Sequence, residues 1–404
     1  MASDKTTAPA GAIDAAWRAY RDTIERLRKG MFESPLARDA VDQARAQHWL
    51  MQAEAAAYNL VIAPQRSHTA FLIDAVFQPN LYSWLMPNAD FLYRYAFVDG
   101  ARNYRISGRR GGTHFLEAQA ISGFWGDPQL KLLRTYDLDE FERAADGAFE
   151  IHVGPSPADC PNWIATDPSN SKNTLIIREA FYDWGSERRS ELRIDQADFG
   201  EPPGQRDEVE LSVRLAAACR MVEFCFKTFS GRLTETVLDK VGTNRFLLVD
   251  TSKDEHASNP SAGYVPAVYE LAPGQALIVE VAPPKARYWN IHLGDVWWQV
   301  TDYTNRQSSL NGRQAKPDAD GKFRIVISAQ DPGVANWLDT AGIMRGVALL
   351  RWYFSDAYPA PTTRLVPFER VLSELPPETE TVGSEARRDA LAARRRAVLA
   401  RYGQ

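Results

Sequence analysis

From Ile13 to Lys29 the apolar positions Ile13, Trp17, Tyr20, Ile24 and Leu27 recur at steps of four and three. That spacing predicts one face of an amphipathic helix, with Gly30 as its stop. A second helical pattern runs after Ser34-Pro35 through Ala40, Ala44, Trp49 and Ala56 and breaks before Pro64, and a third short helix is expected over Ser67 to Phe77. The period then changes to two. Phe91, Tyr93, Tyr95 and Phe97 alternate with Asp90, Leu92, Arg94 and Ala96, and a Val-Asp-Gly turn follows at Val98 to Gly100. Further strands are expected at Asn103–Ser107, His114–Ile121, Phe149–Val153 and Leu175–Phe181, with a helical insertion over Tyr136–Ala145. Short strands without helices between them imply antiparallel sheet.

The segment GEPPG at Gly200–Gly204 reads as a linker. After it, Leu211, Leu215, Ala218, Val222, Cys225 and Phe229 make one helical stripe within Val209–Phe229. A strand-rich half begins near Phe246, with its clearest strands at Gln275–Val281, Arg287–Leu293, Phe323–Ser328 and Val347–Phe354 and a turn at Asp318–Gly321. An Arg-rich helix ends the chain, with Leu391, Val398 and Leu399 on one side. It reads either as a contact for an oligomer or anionic partner, or as a solvated tail packed on the body. The fold class is therefore α+β, mainly β: antiparallel jelly-roll-like sandwich units with an N-terminal helical layer and a helical crossover. The corresponding units are a helical region over residues 1–80, a β-rich unit over 81–200, a crossover over 201–242, a second β-rich domain over 243–372 and a charged tail over 373–404.

Composition narrows the function. The 404 residues carry 47 Lys+Arg against 52 Asp+Glu, a net charge of -5, with no basic run suited to nucleic-acid phosphates. Three cysteines in no CxxC spacing give neither a disulfide framework nor a zinc site, which fits a reducing cytoplasm. Neither a signal peptide nor a membrane-spanning run is readable, so no membrane insertion is expected. The 11 tryptophans suit either an aromatic core or a pocket for a ring-bearing ligand.

The sequence lacks GxxxxGK[ST], HExxH and GxSxG, and its histidines have no local metal-ligand spacing, so no nucleotide or metal cofactor is expected. Four constellations remain. In Asn88-Ala89-Asp90-Phe91-Leu92-Tyr93-Arg94, Asp90 could be a general base held by the Asn88 amide and by Arg94, or the group could be a turn with a structural ion pair. In Tyr288 to Asp295, alternation sends Trp289, Ile291 and Leu293 to one face and Tyr288, Asn290 and His292 to the other, with Trp297 and Trp298 following. His292 is an acid/base candidate there, or a strand histidine bonded to a neighbour. The polar run containing Tyr303, Arg306 and Asn311 is a surface loop or a binding loop. Asn336, Trp337 and Arg351 are either ligand contacts or anchors between loop and strand.

The stretch PNADFLYRYAFVDGARNYRISGR, together with YWNIHLGDVWWQVTDYTNRQSSLN, DADGKFRIVIS, DPGVANWLDTAG and RWYF, resembles bacterial proteins carrying the domain of unknown function 1214. The likeness covers most of Pro87 to Gly112 and Tyr288 to Phe354, with a weaker likeness at Phe181 to Trp184. Asn88, Asp90 and Tyr93 resemble the Asn-x-Asp…Tyr motif of a companion domain, 1254. The NWL and R-x-Y elements correspond to Asn336, Trp337, Leu338, Arg351 and Tyr353. The resemblance implies jelly-roll-like β-sandwiches, and an association with bacteria that degrade steroids, lipids or aromatics. Two positions depart from it: His292 stands where a neutral polar residue is expected, and Gly342 to Arg345 lacks a His and a Glu.

These readings lead to a cofactor-independent acid/base enzyme of lyase, isomerase or hydrolase type, acting on a neutral ring-bearing metabolite. Asp90 would be the base, Tyr93 or His292 the proton donor, and Asn290, Asn336 and Arg306 would orient substrate oxygens. The alternative is a non-catalytic carrier or sensor for a hydrophobic small molecule. A scaffold whose tryptophans are simply core is the third reading.

Overall fold

The structure is a computed structural model that describes residues 11–64, 69–73, 81–197, 208–249 and 259–403. Helix α1 (Ala12–Glu33) passes through Gly30 without stopping and buries Tyr20, Leu27 and Met31, while Trp17 is exposed. Helix α2 (Ala40–Ala57) is capped by Asp39, whose carboxylate accepts the N–H groups of Val41 and Asp42. With α3 (Glu208–Phe229) and α4 (Gly231–Val241), these helices form one layer whose core includes Trp49, Leu50, Met221, Val222 and Cys225. Where a third helix is expected, Leu72–Ile73 is a short strand, β1. The rest of that stretch, and the Gly200–Gly204 linker, lie largely outside the described residues.

The N-terminal sandwich pairs two sheets. One runs in the order β1, β2 (Phe91–Val98), β8 (Asn173–Ala180), β4 (Phe115–Ser122) and β5 (Lys131–Asp137). The other runs β7 (Trp163–Ala165), β6 (Ala148–Gly154), β3 (Tyr104–Arg109) and β9 (Glu191–Gln196). Between them pack Ala96, Val98, Leu116, Ala118, Leu175 and Ile177 of the first against Tyr104, Ile106, Ile151, Val153 and Ile194 of the second. The helical insertion expected over Tyr136–Ala145 is instead the end of β5 and a single 3-10 turn, Leu138–Glu140. Asp137 caps that turn, and the Asp139 carboxylate is drawn to Arg110 and Arg287.

The C-terminal sandwich is built the same way. One sheet has the order β10 (Ala262–Glu270), β16 (Arg345–Ser355), β12 (Ala286–Asp295) and β13 (Ser309–Asn311); the other has β15 (Trp337–Asp339), β14 (Phe323–Ser328), β11 (Gln275–Val281) and β17 (Thr362–Pro367). Pairing is antiparallel except for β6 with β7 and β14 with β15. As the alternation requires, Trp289, Ile291 and Leu293 enter this core, and Tyr288, Asn290 and His292 leave by the opposite face. A short α5 (Val371–Glu374) and the tail helix α6 (Ser384–Arg401) complete the described chain. Among the described residues no helix is long and apolar enough to cross a membrane.

The two sandwiches meet through outer sheet faces. Tyr95, Phe97, Ile121 and Ile176 on the outer face of the β2 sheet lie under the helical layer. Further along the same face, Phe91 and Phe115 pack against Tyr288 and Tyr353 of the C-terminal sandwich. Ring centroids there are 5.2 to 5.9 Å apart, within the range for edge and tilted aromatic pairs. The sequence candidates cluster along this seam.

Candidate functional site

Asn88 and Asp90 occupy the turn that launches β2. Asn88 Oδ1 accepts the Asp90 N–H at 3.0 Å, and Asn88 O accepts the Phe91 N–H at 3.0 Å. Just before them, Leu85 and Met86 are left-handed, with φ of 61° and 46°. Each such non-glycine residue costs roughly 1 kcal/mol or more. The bend is held from the other sandwich. Met86 N donates to Trp298 O at 2.8 Å, and Arg351 donates to Met86 O at 2.7 Å. Gly294 leaves room, since a Cβ there would lie 2.9 Å from Met86 Sδ. The strain thus aims Asn88 and Asp90 at the outer face of β12.

Asp90 is fully enclosed. Its Oδ1 accepts from Trp184 Nε1 at 2.6 Å and Asn311 Nδ2 at 2.8 Å, and its Oδ2 from the Tyr288 hydroxyl at 2.5 Å. Burial pushes its carboxyl above the usual range. Tyr288 chiefly opposes that push, followed by the charge of Arg401, Asn311 and Trp184. Arg401 reaches in from α6 to donate to Ala89 O at 2.7 Å and stacks over Phe181 and Trp184. Arg394, one turn pair earlier, donates to Tyr303 O and Ser309 Oγ and also lies over Trp184.

A second group lines the seam. The Tyr93 oxygen accepts the Asn88 N–H at 3.1 Å. Burial raises its phenol above the ordinary value, and the charges of Arg351 and Arg178 pull it back. Tyr93 and Arg178 are closely surrounded by neighbours yet each keeps some accessible surface, unlike Asp90 and His292. Arg178 donates to Glu117 at 3.1 Å and Gln119 at 2.8 Å, and Glu117 also accepts from Asn259 at 2.7 Å. On β16, Arg351 is paired in register with Asn290 on β12 and with Tyr264 on β10.

Arg351 donates to His292 Nε2 at 2.6 Å. A guanidinium only donates, so Nε2 offers its lone pair and the ring hydrogen sits on Nδ1. Burial, then the Arg351 charge, hold the imidazole well below its usual pKa, so His292 is neutral and not the proton donor expected of it. Asn290 donates to Asn88 Oδ1 at 2.9 Å. Three fully buried polar atoms then meet no hydrogen-bond partner: His292 Nδ1, Asn290 Oδ1 and Asn88 Nδ2. All three belong to side chains grouped around Arg351 and Tyr93. Clustered unpaired polar atoms at one spot call for an explanation in function.

The structure thus gathers Asn88, Asp90, Tyr93, Tyr288, Asn290, His292, Asn311 and Arg351. It places the other candidates elsewhere. Arg94 does not hold Asp90; it forms a buried pair with Glu179 at 2.8 Å. Two strand residues four apart are separated by about 13 Å, too far for the ion pair expected of them. Trp297 donates to Asp42 O and Trp298 to Thr234 Oγ1, anchoring the helical layer. Tyr303 packs under α6, Arg306 pairs with Asp339 while half-exposed, and Asn336 ties Lys316 to Arg324 O. Trp337 lies under Arg387. Trp289, Trp297 and Trp337 are 5%, 0% and 6% exposed, so these tryptophans are core and not pocket wall. Sequence reasoning missed Trp184, Arg178, Glu117, Tyr264, Arg394 and Arg401. Among the described residues, no group of three His, Cys, Asp or Glu side chains could hold a metal ion.

Several known proteins resemble the chain. An uncharacterised protein from Burkholderia cenocepacia, known from its crystal structure, is 25% identical, with a TM-score of 0.82 over 89% of this chain and 99% of that one. A protein from Vibrio parahaemolyticus is 13% identical, covering 88% of this chain and 100% of that one with a TM-score of 0.45. No curated protein matches the chain. Residues 272–357 match the family described as "Protein of unknown function (DUF1214)", a span that holds β11, β12, β14 and β16 and with them Tyr288, Asn290, His292 and Arg351. The C-terminal half of the seam therefore lies within the span that matches this family.

Proposed function

We propose that the protein is an acid/base enzyme acting on a ring-bearing small molecule in the seam between the two sandwiches, in the cytoplasm, with Tyr93 as the group that exchanges the proton. The observation that carries this reading is the gathering of three unpaired, fully buried polar atoms around Arg351 and the partly exposed Tyr93. Tyr93 offers a phenol at the edge of a ring-lined face, and the Asn88 N–H and two guanidiniums stabilise its oxygen as charge develops there. Asp90 acts at one remove. It fixes Tyr288, and Tyr288 with Asn290 fixes Asn88, whose N–H meets Tyr93.

A test is proton exchange in deuterated water. The full chain, incubated with a set of ring-bearing ketones, should exchange protons α to a carbonyl as followed by NMR. Tyr93→Phe should slow exchange about a hundredfold or more, the contribution expected of a positioned acid/base. Exchange that persists in Tyr93→Phe would sink the assignment. One observation favours binding without turnover: Asp90 and His292 are shut away from solvent. A ketone that stabilises the protein and is recovered without exchange would support that second reading.

A further inference from the structure

We infer that the seam takes a ring-bearing anion, a carboxylate in the first instance, and that Arg351 is the residue that receives its charge. The inference rests on the reading of the seam as a ligand site and changes the expected ligand from neutral to charged. Its basis is the charge balance around Arg351. The side chain is 6% exposed, and its two hydrogen-bond partners, His292 Nε2 and Met86 O, are both uncharged. Among the described residues no carboxylate lies within ion-pairing distance of it, whereas the buried Arg94 and the neighbouring Arg178 each have a glutamate. Taking an unpaired guanidinium out of water is strongly unfavourable, and arginine does not escape that cost by losing its proton.

The neighbours do not supply the missing charge. His292 is held neutral. The Tyr93 and Tyr288 phenols are both raised above their ordinary values by burial. Glu117 is committed to Arg178 and Asn259. A bound carboxylate would balance Arg351, and its second oxygen would find donors in the His292 Nδ1–H and the Asn88 amide, both unpartnered. The ring of such a ligand would meet Tyr93 and Tyr264, the half-buried rims of the aromatic contact between sandwiches. Charge, orphan donors and ring surface thus specify one class of molecule.

The experiment compares sodium benzoate with benzamide, its neutral isostere, as stabilisers of the full-length protein in thermal unfolding, at matched ionic strength. Benzoate is expected to raise the unfolding midpoint in a saturable way and benzamide to leave it unchanged. Arg351→Gln should weaken benzoate binding by about tenfold or more, the loss of a charge-assisted contact. Arg351→Lys should keep part of it. A merely structural arginine would lower stability equally with and without benzoate, so the benzoate-dependent increment is the deciding readout. The inference is overturned if wild type gains nothing from benzoate, if benzamide stabilises as well as benzoate, or if Arg351→Gln keeps the full increment. If Arg351→Gln does not fold, the wild-type comparison of the two probes decides alone. None of these results bears on exchange of ketone protons by Tyr93, so the two readings fail separately.

Discussion

Replacing Tyr288 by Phe removes one hydroxyl and keeps the ring that touches Phe91, Phe115 and Tyr353. No cavity opens, so the cost is that of a stranded hydrogen-bonding group. Asp90 keeps Trp184 and Asn311, but both donate to Oδ1, and Oδ2 is left without the Tyr288 hydroxyl that lay 2.5 Å away. A buried acceptor left unpaired costs about 1–3 kcal/mol, so a loss in that range is expected. Urea unfolding followed by tryptophan fluorescence measures it. In an Asp90→Asn background the same change should cost under about 1 kcal/mol, because no charge is stranded. The pH dependence has a definite sign. The Asp90 carboxyl is already raised by burial, and losing Tyr288, the foremost group holding it down, raises it further. A carboxyl with a folded-state pKa above its unfolded value gains stability as pH falls through the folded pKa, so the deficit of Tyr288→Phe should shrink on acidification. A cost below about 0.5 kcal/mol, within the range of neutral surface changes, or an equal cost in the Asp90→Asn background, would refute this account of the network.

Burial pushes the Asp295 carboxyl up to about 6 from 3.8. Its folded form therefore holds a proton its unfolded form has lost between those values, and wild type should gain up to about 3 kcal/mol as pH falls through that window. Asp295→Asn should flatten the gain in urea unfolding at several pH values, and an unchanged slope would count against it. Arg94→Met leaves Glu179 buried beside the Ser190 N–H and the Thr113 hydroxyl without its cation, and should cost about 3–5 kcal/mol in equilibrium unfolding. A loss under about 1 kcal/mol would show the pair to be dispensable, since breaking a buried ion pair costs several times that. Gly312→Ala would put a Cβ 2.0 Å from the Tyr182 hydroxyl and 2.4 Å from Trp289 Nε1, so a lower melting temperature is expected, and an unchanged one would mean that both side chains move aside freely.

What the sequence revealed follows from how local each signal is. The alternation in Tyr288–Leu293 places each side chain on its face because a strand's period is fixed by its own backbone, and Gln275–Val281 and Phe323–Ser328 are strands with those bounds. The Asn88 and Asp90 turn is likewise local, an amide oxygen closing on an N–H two residues on. The partners of Asp90 are not local. Trp184 and Asn311 lie 94 and 221 residues away, and only the meeting of the two sandwiches brings them together. Trp297 and Trp298 misled for the same reason. They adjoin the site in sequence, but the left-handed backbone at Trp298, with φ of 64°, sits where the chain turns the pair toward the helices.

The tail shows how a charge run can hide an ordered face. Arg387, Arg394 and Arg401 are seven apart, two turns of helix, so they form one stripe on α6. Arg387 takes Asp331 and Gln307, while Arg394 and Arg401 close over Trp184 behind Asp90. The remaining arginines of the run face water, and a summed charge reads all of them as solvated. The stripe also constrains the seam. The Asp90 charge acts on Arg394, ahead of that of Asp302, and Asp90 feels Arg401 in turn. Asp90 thus already faces two guanidiniums from α6, the buried Arg401 and the half-buried Arg394. It has no charge to spare for Arg351 across the seam, whose balance must come from whatever binds there. Arg401→Met should therefore raise the Asp90 carboxyl further and lower stability by about 1–3 kcal/mol through the lost Ala89 bond and ring contacts, while leaving the benzoate increment intact. Loss of that increment in Arg401→Met would mean that the two charge systems are one.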